Sequence, residues 1–157
     1  MLDELGDNMI KQWLCRVLGC CADSISPPQD LENIDFNEVN TLLTAEFPNA
    51  TLLLSDYMYK TTTLAEFDRF IKNDVTNNNI YVSEYYDCDD FSYSIMGHLS
   101  NQDWGCLTFG ILWTSTPGGG HAVNCFIDKD RNVWILEPQD DSIFKCPSDW
   151  DPYLVMM

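Results

Sequence analysis

Three residues of this sequence have the types that nucleophilic chemistry needs: Cys88, His121 and Glu137. Asp87 is a good N-cap and Asp90 stands three residues on, so Cys88 is read as the first residue inside a helix over 87–99. Free amide groups and the positive dipole end at that point favour a thiolate over a thiol. A thiolate nucleophile wants an imidazole base, itself oriented by a third group. The sequence holds two histidines. His98 is ten positions further along the same helix, roughly 15 Å away by helical rise, and cannot reach Cys88. His121 is left as the base. If the turn of the following hairpin spans 128–132, Ile127 pairs with Val133 and Val123 with Glu137. That register puts Glu137 on the face of His121, diagonally across the ladder. A slip of one residue would move Glu137 to the other face, leaving Asn124 or Asp140 as substitutes.

The setting raises an electrostatic objection. Glu84, Asp87, Asp89 and Asp90 stand close to Cys88 in sequence with no base among them. Negative neighbours raise a thiol's pKa and oppose its reactive form. Either these carboxylates point away or a cation offsets them. Oxygen-rich clusters suit calcium, so a calcium site is expected, with Asp89 and Asp90 its first ligands and Asp87 beside them. The alternative is that these acids only complement the helix dipole.

The elements that must position these residues are legible in part. Residues 1–22 read as an N-terminal amphipathic helix, with Leu2, Leu5, Met9, Trp13 and Val17 on one stripe. That stripe either docks on the domain or makes a homodimer. Residues 24–35, with Pro27 and Pro28, read as a linker or turn. A helix over 36–47 stops at Pro48, and 50–54 is strand-like. Thr63 and Glu66 form a capping box ahead of a helix over 64–72. Tyr86 and Phe91 occupy the positions of a hydrophobic staple on the helix of Cys88. Leu107, Phe109, Ile111 and Trp113 alternate along a strand, a glycine loop follows, and 121–128 and 133–137 make a hairpin. Helices first and antiparallel strands after is an α+β arrangement, and the length of 157 residues fits a single domain.

Composition excludes some partners. Eight Lys and Arg against 25 Asp and Glu give a net charge of −17. Such a surface repels phosphate backbones and anionic lipid, so no nucleic-acid and no membrane partner is expected. The opening residues are acidic, unlike a secretory segment, so synthesis in the cytoplasm with free thiols is expected for the seven cysteines.

The string Tyr86-Asp87-Cys88-Asp89-Asp90-Phe91 resembles the nucleophile segment of papain-like and transglutaminase-like cysteine peptidases. With Phe109-Gly110-Ile111-Leu112-Trp113, Gly120-His121-Ala122-Val123-Asn124 and Leu136-Glu137-Pro138-Gln139, it is similar to the C-terminal protease domain of fairy-ring mushroom agglutinin-type lectins and related stand-alone phage domains. The resemblance covers about 50–141. It implies a papain-like fold, with a helical N-terminal part and the nucleophile at a helix start packed on an antiparallel sheet. It implies a Cys88–His121–Glu137 triad, calcium dependence, and an oxyanion site at the Cys88 backbone. Papain relatives add a glutamine that is missing here, so Tyr85 or Tyr86 stands as the second donor. The expectation is a cysteine hydrolase acting on a protein or peptide through an acyl-enzyme. The alternatives are transglutaminase-like acyl transfer and a catalytically silent papain-like binding module or phage interaction protein. Sugar binding is not carried over, since no β-trefoil fits the remaining length.

Overall fold

The computed structural model describes residues 25–100 and 103–157. The stripe of the first helix, with Cys15, Cys20 and Cys21, lies outside the described residues.

Why the chain forms its elements is visible at their ends. β1 (Glu32–Asp35) runs into α1 (Phe36–Glu46) at Asp35, whose carboxylate accepts the amide of Glu38 at 2.9 Å. After β2 (Thr51–Leu53) and β3 (Met58–Thr61), Thr63 caps α2 (Leu64–Asn73) by accepting the amide of Glu66. Only that half of the expected capping box forms. The Glu66 carboxylate turns instead to Arg69 and to the amide of Gln29. A short 3₁₀ turn (Thr76–Asn78) leads to α3 (Cys88–Ser100), and Tyr86 meets Phe91 edge-on at 4.7 Å as the staple requires. The strands β4 (Phe109–Thr116), β5 (Gly119–Ile127), β6 (Val133–Glu137), β7 (Ser142–Phe144) and β8 (Asp151–Met156) complete the chain.

Six strands form one sheet in the order β2-β8-β4-β5-β6-β7, and β1 pairs with β3 separately. Alternation assigns the two faces. Leu112, Val123, Cys125, Ile135 and Val155 pack with Val39, Leu43 and Phe47 of the α1 segment. Phe126 and Leu136 pack with Phe67, Phe70, Ile95 and Leu99 of α2 and α3. The sheet therefore lies between α1 on one side and α2 with α3 on the other.

This corrects the expected α+β papain-like class. Among the described residues there are eight strands against three α-helices. Two strands, β1 and β3, fall inside the half expected to be helical. Nor is the sheet wholly antiparallel, because β2 runs parallel to β8. The reason is physical. β1, β3 and β7 are three or four residues long, too short for alternation to register. β8 carries Pro152, which argues against an interior strand. A register irregularity between Trp113 and Thr114 accommodates it, where Thr114 faces Pro152.

Candidate functional site

The hairpin β5–β6 has the register that the sequence suggests, with Ile127 opposite Val133 and Asn124 opposite Leu136. Continuing it sets Val123 against Glu137, with His121 two residues on. His121 Nε2 and Glu137 Oε2 are 2.7 Å apart, and both side chains are about four-fifths buried, at 22% and 17% exposure. The other oxygen of Glu137 accepts the backbone amide and the side-chain Nε2 of Gln139. The carboxylate is thus fixed by the turn that follows it. The two substitutes for Glu137 are engaged elsewhere. Asn124 is buried and donates to the carbonyls of Ser92 and Gly110, tying α3 to the sheet. Asp140 accepts the amide of Ser142.

Cys88 opens α3 and meets β5 at the amide of Ala122, next to His121. Its thiol is pushed up, first by burial and then by the charges of Asp87 and Asp89, which outweigh the favourable Ala122 amide. The structure thus leaves Cys88 protonated at neutral pH. Asp87 and Asp89 stay close to the thiol, and Asp90 turns to its own helix start. Ligand atoms of Asp87, Cys88 and Asp89 lie within 4.8 Å of one another.

Those two carboxyls are in contact and behave oppositely. Asp87 is held low by its hydrogen bond with Asp89 and by the amide of Glu84. Asp89 is pushed up, mainly by the same contact. Asp90 does not join them. Its carboxylate accepts the amide of Asp87 at 3.1 Å, closing the helix start. The oxygen cluster is therefore Asp87 with Asp89, not Asp89 with Asp90. The tyrosines named as oxyanion donors do not take that place either. The Tyr86 hydroxyl is engaged by Ser94 and Asn79, and Tyr85 is 85% exposed on a turn.

Two participants carry no role in the sequence motifs, although Gln139 closes the Leu136-Glu137-Pro138-Gln139 string. Gln139 lies in the β6–β7 turn, and Trp150 sits beyond β7 yet meets the His121 ring edge-on at 5.8 Å. Neither has a spacing relation to the cysteine or histidine motifs. Their roles follow only from how the turn and the segment before β8 return to the sheet.

The class defined by these elements is a β-rich domain with a buried, hydrogen-bonded imidazole–carboxylate pair beside an acidic helix start. Its solved neighbours include a lectin. A complex titled "PSL1a-E64 complex" matches with a TM-score of 0.71 and 24% identity, over 80% of this chain and 51% of that one. A Polyporus squamosus lectin bound to the human-type influenza-binding epitope Neu5Aca2-6Galb1-4GlcNAc matches with a TM-score of 0.69 and 24% identity, over 80% of this chain and 49% of that one. This chain thus spans about half the length of those structures. No curated protein matches it. The model of the agglutinin C-terminal family matches residues 59–143, more than half of the sequence, and the chain belongs to that family.

These findings correct the expected identity. The matching family is described by agglutinins, and the fold is shared with a lectin, not assigned to papain-like or transglutaminase-like peptidases. The expected enzyme gives way with it: the cysteine hydrolase with its catalytic triad, the acyl-transfer alternative and the silent papain-like phage module. A protein or peptide substrate is likewise unsupported. Neither the family description nor the neighbours' titles names a nucleic acid or a membrane. Among the described residues no helix is long and apolar enough to cross a membrane.

Proposed function

We propose that this chain is a carbohydrate-binding domain that takes a neutral glycan. The observation that carries the reading is its membership of the agglutinin C-terminal family, supported by the fold it shares with a lectin. We place the ligand at the surface around His121, Glu137 and Cys88. Sugar hydroxyls need donors and acceptors held in fixed directions, and aromatic rings cover the apolar faces of pyranoses. His121, Glu137 and Gln139 supply the first, and Trp150 the second. The acidic epitope of the Polyporus lectin is not carried over, because a net charge of −17 disfavours an anionic sugar.

Calcium belongs to the same proposal. The donor set fits a hard cation in part, since Asp87 and Asp89 offer adjoining carboxylate oxygens. Cys88 is a soft ligand and stands outside it. Bound calcium would supply positive charge beside His121 and Cys88. Asp87 and Asp89 would hold it through their adjoining carboxylate oxygens.

The test is a screen of neutral and sialylated oligosaccharides against the chain, with calcium and with chelator. Neutral glycans should bind, and Glu137→Gln should weaken binding without unfolding the domain. Failure of every neutral glycan to bind in both conditions would overturn the reading.

A further inference from the structure

A cavity of about 240 Å³ lies on the α1 side of the sheet, between the end of α1 and the segment that leads into β8. Glu46, Phe47, Asn49, Cys146, Trp150 and Asp151 contribute to its wall, and no Lys or Arg lines it. We propose that this cavity binds an alkylammonium ion, with the charged head at Glu46 and Asp151 and the apolar stem against Trp150.

Independent features converge on a cation there. α1 points its C-terminal end at the cavity, and its last turn carries no basic residue. The negative end of the helix dipole is therefore uncompensated. Pro48 has no amide proton, so the Thr44 carbonyl gains no helical partner from it. Glu46 and Asp151 are exposed acids, and neither has an ion-pair partner among the described residues. Glu46 lines the cavity with Cys146, whose thiol is pushed up to about 11 by burial and then by the Glu46 charge. The Trp150 ring adds a surface to which cations are drawn. Anionic ligands are repelled by every one of these groups. A neutral stem alone would leave the two carboxylates without a counter-charge. The inference does not depend on glycan binding, although Trp150 touches His121 and so joins the two places.

The experiment titrates the whole chain with n-butylammonium chloride and, separately, with 1-butanol, its neutral counterpart. Heteronuclear NMR follows the Trp150 indole N–H and the amides of Asn49 and Ser148. Butylammonium should shift these signals and 1-butanol should not. Glu46→Gln should weaken binding roughly fivefold, as expected for an exposed ion pair. Asp130→Asn, an acid on the distant β5–β6 turn, should leave it unchanged. Equal shifts with both compounds, no shift with butylammonium, or equal weakening by both substitutions would each overturn the proposal. An acetylated lysine amide distinguishes the sources of the same chemistry. Binding tighter than butylammonium assigns a protein lysine, and equal binding assigns a free amine.

Discussion

Replacing Asp141 with Asn should stabilise the protein at neutral pH and lose that advantage in acid. Asp141 sits in the β6–β7 turn at a φ of 63°, where its amide donates to the Glu137 carbonyl. Its carboxylate accepts Asn77 Nδ2 at 2.8 Å, which ties the turn to the 3₁₀ segment. Burial, followed by the charges of Asp74, Asp140 and Asp68, pushes its pKa up to about 6 from an ordinary 3.8. At neutral pH the group is ionised in both the folded and the unfolded chain, and in the fold that charge is disfavoured. As pH falls through about 6 the folded carboxyl takes a proton that the unfolded one accepts only near 3.8. Between those values the folded state holds more protons, so this group's contribution to stability rises as pH falls. A shift of this size corresponds to about 3 kcal/mol before screening. The carboxyl is only half-buried and partly screened by solvent, so about 1 kcal/mol is a fairer expectation. Asn keeps an oxygen for Asn77 and is among the residues that best tolerate positive φ. Urea denaturation of both proteins at about pH 7.5 and about pH 4 isolates the effect, because all other carboxyls are common to the pair. The Asn variant should melt about 2–4 °C higher at neutral pH, a shift of the size expected for about 1 kcal/mol. Equal stability at neutral pH, or an advantage that persists unchanged near pH 4, would refute the argument.

Further outcomes follow from other contacts. Gly110→Ala places a Cβ 2.4 Å from the Met156 carbonyl and should part β4 from β8, costing about 3 kcal/mol in urea denaturation. A cost below about 1 kcal/mol would show that the strands yield easily. Asp89→Asn removes one of the charges that raise the Cys88 thiol, so alkylation of Cys88 near pH 8 should be faster in the variant, as mapped by mass spectrometry. Calcium should have the same effect on the parent protein and none on the variant. Thr63→Ala deletes the cap of α2 and should cost about 1 kcal/mol, with Thr63→Ser restoring most of it.

The sequence spoke clearly where one local rule decided the outcome. The caps at Asp35 and Thr63 are decided by a side chain three residues from the amide it accepts. The staple of Tyr86 on Phe91 is equally local. The pairing of His121 with Glu137 was legible because a tight turn fixes register, and register fixes which side chains share a face. Distant returns of the chain were not legible. β1 finds β3 and β2 finds β8 across long separations, and each is too short to carry a periodic signal. Trp150 reaches His121 only because the segment before β8 folds back over the sheet. The acidic helix start shows a subtler limit. Spacing places four carboxylates near Cys88, but only geometry shows Asp90 turned to its own helix and Asp87 turned to Asp89. Motif resemblance read chemistry into residue types, whereas the family model assigns this chain to the agglutinin C-terminal family.

The charge of −17 acquires a spatial meaning once the bases are located. Arg131 bridges Glu32 and Glu38, and Lys129 holds Asp30, so both fasten the β1–α1 segment to the β5–β6 turn. Arg69 joins Glu66 and the carbonyls of Ser26 and Pro27, fixing the chain before β1 onto α2. Lys72 pairs with Asp68 on the same helix, and Lys145 lies over the Trp134 ring. These cations are spent on seams of the fold. None of them reaches the start of α3 or the cavity at the end of α1. An acid surplus spread only for solubility would leave bases near both places. Among the described residues, no base pairs with Asp87 and Asp89 at the start of α3 or with Glu46 and Asp151 at the cavity. Lys substitutions separate this view from simple solubility. Asp149→Lys, beside the cavity but outside its wall, should weaken butylammonium binding and leave calcium binding unchanged. Glu84→Lys, beside Asp87, should do the reverse. Equal losses of both ligands in both variants would mean that only total charge matters and that its placement carries no information.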